Sequence, residues 1–116
     1  MAALTPTTTD ALLQPNGFDR KRIERALKDR SRYLYVNPVV RTVEGGFRIE
    51  SPCCSRRIDP GGGIVDIALI HYIEPGIWKL HRKDYAAAAW LPHGVYKQLD
   101  GLLEQLNKDP KRLFWQ

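Results

Sequence analysis

Apolar residues along this 116-residue chain recur at two spacings, one helical and one alternating, and the switches between them outline a fold. From Arg20 to about Arg30, Ile23, Ala26 and Leu27 form one apolar stripe at helical spacing. Asp19 in front of them is a suitable N-cap, because its carboxylate can accept the free amide hydrogens of a first turn. Phe18 and Ile23 are placed to close as a hydrophobic staple around that cap. Arg20/Glu24, Glu24/Lys28 and Arg25/Asp29 are spaced to pair on the outer side. Basic residues in the last turn suit the negative end of the helix dipole.

Alternation then takes over. Tyr33 to Val36 is aromatic and β-branched, and Asn37-Pro38 interrupts it. Val39 to Val43 and Phe47 to Ser51 flank the short turn Glu44-Gly45-Gly46, which predicts a hairpin. Phe47, Ile49, Ser51 and Cys53 share one face, Arg48 and Glu50 the other, and Pro52 bends or ends the strand. After the turn Asp59-Pro60-Gly61-Gly62-Gly63, Ile64 to Ile73 reads as a long buried strand with Val65, Ile67, Leu69 and Ile73 inward and Asp66 and Ala68 on a partly covered face. Glu74-Pro75-Gly76 turns the chain into Ile77–Lys83, with Trp78 and Leu80 on one face and Lys79, His81 and Lys83 on the other. Tyr85 to Leu91 is expected to be the next strand, although its four alanines also favour helix. A last helix is expected from near Gly94 to near Asn107, where Val95, Leu99, Leu102, Leu103 and Leu106 make an amphipathic stripe. Asn107 is the expected C-cap, and Pro110 prevents continuation. The order is helix, meander, helix. It predicts an α+β domain: an antiparallel β-meander of four to five strands with the N-terminal and the C-terminal helix packed on one face. Residues 1–17, broken by prolines and rich in threonine, are expected to be a flexible tail, and 18–116 the single domain.

Several of these segments together resemble a known family. Arg20-Lys21-Arg22-Ile23-Glu24-Arg25-Ala26-Leu27 is followed by Gly46-Phe47-Arg48-Ile49-Glu50, then by Ile77-Trp78-Lys79-Leu80 with Asp84 and Trp90, then by Leu102-Leu103 and Asp109-Pro110 with Phe114. In that order they resemble the bacterial domain of unknown function 3024, over roughly residues 18 to 115. The resemblance implies a bacterial cytosolic protein and carries over no catalytic residue.

Composition adds a charge asymmetry. A hydrophobic fraction of 43% and a charged fraction of 27% are ordinary for a globular chain, and the net charge is +5. Between Phe18 and Arg32, seven bases stand against three acids, so most of the excess lies in one segment. Arg22, Arg25, Lys28, Arg30 and Arg32, with Tyr33 and Tyr35 to stack on bases, are therefore the candidate nucleic-acid contacts. The interleaved acids argue against a continuous phosphate track, and a charged helix is commonly just a solvated face.

Other chemistry fares less well. The start of the chain has no basic and apolar leader, and the longest apolar run contains Asp66 and His71, so a cytoplasmic protein without a membrane span is expected. Cys53 and Cys54 are adjacent, and neighbours on a strand point to opposite faces. They are expected to be reduced and metal-free rather than to share an ion with His71, His81 or His93. Pro60-Gly61-Gly62-Gly63 precedes a strand, not the helix a phosphate loop requires. No cofactor is expected. Glu50, Asp66, Lys79 and His81 are the alternative site, a small hydrolase or metal-dependent phosphodiesterase on the outer sheet face. The acid expected two residues before such a lysine is replaced by Ile77, and cross-strand ion pairs account for the same residues more simply. The preferred reading is a non-enzymatic binding module whose partner is nucleic acid or another protein.

Overall fold

The computed structural model describes residues 15, 17–30, 37–52 and 63–115. Helix α1 spans Gly17–Ala26 and tightens into a 3-10 turn over Leu27–Asp29. Five strands follow: β1 Val39–Val43, β2 Gly46–Pro52, β3 Ile64–Glu74, β4 Ile77–Asp84 and β5 Ala89–Tyr96. Helix α2, Leu99–Lys108, comes last. Every neighbouring pair is antiparallel and the spatial order equals the chain order, so the sheet is a plain meander. The expected tail at 1–14 and residue 16, the segment 31–36, the adjacent cysteines, and the turn at 59–62 lie outside the described residues.

Glycine makes two of the connections possible. Gly76 has φ +83° after Pro75, the combination that a tight turn between Glu74 and Ile77 needs. At Gly46 a Cβ would stand 1.8 Å from the Ile70 carbonyl oxygen, so no other residue lets β2 approach β3 there.

One row of inward side chains runs Phe47, Ile70 and Leu80 across β2, β3 and β4, and Ile49 faces Ala68 beside it. These residues join Ile23 and Leu27 of the N-terminal segment and Leu99, Leu102, Leu103 and Leu106 of α2 in one buried cluster, completed by Phe114 and Trp115. Both helices thus cover the same face of the sheet, α1 against β1 and α2 against β4 and β5.

Three bulges break the alternation. They leave Ile67, Ile73 and His93 without register partners. The first lets the consecutive residues Ile67 and Ala68 both face the core and turns Leu69 to the outer face opposite His81. Leu69, expected inside, is only half-buried, and Ile73 is exposed. Other expectations shift too. Tyr85 to Ala88 is a turn in which the Ala87 amide donates to Asp84, and the fifth strand runs later than expected. Val95 is therefore strand, pairing with Lys79, and α2 begins at Leu99. Helix α1 begins before Asp19, which sits in its first turn beside Arg22 at 3.7 Å. Phe18 is 77% exposed, so the staple to Ile23 does not form.

The C-cap of α2 is Asp109, not Asn107. Its backbone is left-handed, φ 36° and ψ 60°, and its amide donates to Gln105 at 3.0 Å. Its buried carboxylate accepts from the amides of Leu113 (2.7 Å), Phe114 (3.0 Å) and Trp115 (2.8 Å). Asn107 instead donates to the Ala26 carbonyl at 2.8 Å and ties α2 to the end of α1. Leu106 is fully buried beneath this junction. Leu106→Ala is expected to destabilise the domain by roughly 2–5 kcal/mol in a urea titration, with an unchanged m-value. A loss within error would place that side chain outside the core.

Candidate functional site

Two surfaces carry the candidate residues. On the first, α1 buries Ile23 and turns its cations in different directions. Arg22 is engaged, 2.9 Å from Asp100 of α2 and 3.7 Å from Asp19. Arg30 is 6% exposed: its Nη1 donates to the Leu27 carbonyl at 2.7 Å, and its guanidinium lies 5.3 Å from the Trp115 ring centre. Arg25 and Lys28 are exposed, as are Arg20 and Lys21. Among the described residues none of these four makes an ion pair. The i to i+4 pairs expected along this helix are accordingly not formed. Arg32, Tyr33 and Tyr35 lie outside the described residues. Beside α1, a groove of about 330 Å³ is lined by Ala26, Leu103, Asn107 and Lys108 together with the acids Asp29, Asp100 and Glu104. The acids thus gather where the helices meet, and none of the four free bases lines the groove.

The second surface is the outer face of the sheet. Glu50 and Asp66 are register partners on β2 and β3. Two carboxylates directly opposite each other repel, and here cations separate them. Arg41 Nε is 2.5 Å and Arg48 Nη2 2.8 Å from Glu50. Arg48 Nε is 3.6 Å and Lys83 Nζ 3.2 Å from Asp66. Lys83 also stands 4.9 Å from the ring centre of Trp90, and the Tyr85 hydroxyl donates to the Asp66 carbonyl. Arg41, Glu50, Arg48, Asp66, Lys83 and Trp90 therefore form a chain of contacts that crosses all five strands. The hydrogen bond from Arg41 holds the Glu50 carboxyl below its usual range. Burial pushes the other way, and the charges of Arg41 and Arg48 add to the lowering.

Lys79 and His81 are not brought to that carboxylate pair. Lys79 faces His71 and His81 faces Leu69 in the next rows, with the His71 and His81 rings 4.9 Å apart and nearly perpendicular. Burial, then His71, then Lys79 push His81 down to about 4, and its Nε2 has no hydrogen-bond partner among the described residues. Burial and Lys79 also lower His71. His93, packed edge-on against Phe114, is lowered by burial and Arg82, with Asp109 opposing. A catalytic base requires a carboxylate that is accessible and not already neutralised by partners. Glu50 is the reverse, and Asp66 is held by two cations. Among the described residues no three His, Cys, Asp or Glu side chains gather as metal ligands would. Alternation alone had put Arg48 with Glu50 and Lys83 with His81 on this face. It could not reveal their partners, because register depends on where the bulges fall.

These features define a small α+β domain with a two-helix layer on one side of an antiparallel meander and an ion-paired, open outer face. The family model described as domain of unknown function (DUF3024) matches residues 13–116, and the chain belongs to that family. Comparison with curated proteins gives no match, and comparison with solved structures gives none. No helix of the described residues is long and apolar enough to cross a membrane.

The histidines give the fold a pH dependence of known sign. Each has a folded pKa below its ordinary 6.5, so the unfolded chain takes up protons first. Their contribution is whole above pH 6.5 and is lost as the pH falls toward His81's value of about 4. The Glu50 contribution persists above its ordinary 4.5 and is lost only as the pH falls through its lowered folded value. The melting temperature is expected to fall between pH 7 and pH 5, and to fall less in His81→Gln. An equal fall in both proteins would remove His81 from the account.

Proposed function

We propose that this domain is a non-catalytic binding module that contacts nucleic acid through the solvent ridge of α1. The observation that carries the reading is the set of free cations Lys21, Arg25 and Lys28. They follow at i, i+4 and i+7 on the side opposite Ile23, all exposed, with no ion pair among the described residues. Lys21 and Arg25 are separated along the axis by about 6 Å, and Lys28 follows about 5 Å further on in the 3-10 turn, a reach suited to neighbouring phosphates. Arg22 and Arg30 have structural partners, so the contact set is narrower than the charge count of the segment. Arg32, Tyr33 and Tyr35 remain candidates at the end of the same segment. A bacterial cytosolic setting belongs to this reading and rests on the sequence alone. The hydrolase alternative on Glu50, Asp66, Lys79 and His81 is less well supported, because the carboxylates there are spent on arginine and lysine.

Phosphate contacts position a chain without reading its sequence, so affinity should be weak, non-specific and salt-dependent. With three contacts, log affinity should fall against log salt with a slope of about −2 for single strands and about −3 for duplex. Titrating labelled single- and double-stranded DNA and RNA measures this. Joint replacement Lys21→Glu, Arg25→Glu and Lys28→Glu, which leaves Arg22 and Arg30 in their structural roles, should abolish binding. No binding by the wild-type chain at low salt, or equal binding by the triple variant, would end the proposal.

A further inference from the structure

Phe18 is the most exposed of the large apolar side chains among the described residues. Phenylalanine at the start of an amphipathic helix commonly closes onto the core, yet here its side chain is 77% exposed while Ile23 is fully buried. At 100° per residue, Phe18, Lys21 and Arg25 fall within an arc of about 60° on the side of α1 away from the core, and Lys28 follows in the 3-10 turn that continues the helix. The four residues make one ridge, an apolar ring at its N-terminal end followed by three free cations.

We infer that this ridge takes single-stranded nucleic acid, with Phe18 stacking on an unpaired base while Lys21, Arg25 and Lys28 follow the phosphates. The inference rests on the proposed function and adds the class of ligand to it. An exposed aromatic ring gains nothing from a duplex backbone, whose bases are stacked on one another. In a single strand every base offers a free π-face. Phe18 lies about 4.5 Å along the axis from Lys21, so a base on the ring and its adjoining phosphate on the lysine can be engaged together. An anionic lipid surface is the competing ligand for an aromatic ring beside cations. It requires a wide apolar helix face to bury in the bilayer. On α1 that face, Ile23 with the adjoining Leu27, is already committed to the core.

The test uses the full chain, a short labelled oligothymidylate, its duplex with oligoadenylate, and vesicles of phosphatidylglycerol and phosphatidylcholine. Phe18→Ala is expected to weaken binding of oligothymidylate by roughly 5- to 150-fold, the range for one lost stacking partner, with an unchanged salt slope. Phe18→Trp should retain binding, duplex affinity should not respond to either substitution, and thermal melting should show both variants folded. If Phe18→Ala binds oligothymidylate like the wild type while the triple charge reversal does not, the cationic ridge stands and the stacking inference is overturned. If the substitution removes vesicle binding and leaves oligonucleotide binding intact, Phe18 is a lipid contact and the inference is overturned. If the wild-type chain binds neither oligonucleotide, both the inference and the reading beneath it fail.

Discussion

A buried carboxylate at the end of α2 sets the terms for much of the fold. Asp109 is 2% exposed, and an ion so placed must have its oxygens satisfied or the helix end cannot be buried. Three consecutive amides, from Leu113 to Trp115, meet it. Hydrogen bonds to a charged acceptor contribute roughly 1.5–3 kcal/mol each, which offsets the left-handed backbone at Asp109, a conformation that aspartate tolerates better than most residues. The curl of chain that results drives Phe114 and Trp115 into the core. The indole of Trp115 donates to Leu106 at 2.9 Å, and its ring faces Arg30, which in turn closes the end of the N-terminal helical segment through the Leu27 carbonyl. Phe114 meets His93 at the bulge of β5. One carboxylate thus links the last helix, the first helix and the edge of the sheet.

The consequence for function is a division among the cations. Arg22 and Arg30 hold elements together, one through Asp100 and the other through Trp115. Arg41, Arg48 and Lys83 hold carboxylates apart across the open sheet face. Such pairs on a half-exposed face add little stability singly, but as a connected chain over five strands they fix side-chain positions and keep the uncovered face polar. On the N-terminal helical segment Arg20, Lys21, Arg25 and Lys28 have no ion pair among the described residues, and the functional reading centres on three of them, which line up with Phe18, rather than on the larger array of charged groups on the sheet.

The sequence carried the architecture through local signals that are strong by themselves. The stripe of Leu99, Leu102, Leu103 and Leu106, the alternation around Phe47 and Trp78, and the Pro75-Gly76 turn each have one economical structural solution. Three things were not legible. Bulges at Ile67, Ile73 and His93 reset the face of every following residue, and nothing local announces them, which is why Leu69 read as core. Val95 fits a helix stripe with Leu99 as well as it fits a strand, and pairing with β4 decides between them. The role of Asp109 depends on amides four to six residues further on, which a search for a residue that ends the helix cannot find. For the candidate site, charge density marked the segment on which the proposal rests. Burial alone separated Arg30 from Arg25, and an exposed Phe18 was hidden behind a motif that usually buries it.

The linking role of Asp109 is open to direct measurement by amide hydrogen exchange in the wild-type chain and in Asp109→Ala. The account predicts that the amides of Leu113, Phe114 and Trp115 and the indole N–H of Trp115 exchange as slowly as those of the central strands in the wild type. In the variant all four should lose protection together, with the end of α1 at Leu27 and Arg30 loosening in step. Rapid exchange at residues 113–115 in the wild type, or slow exchange that survives the loss of the carboxylate, would contradict it.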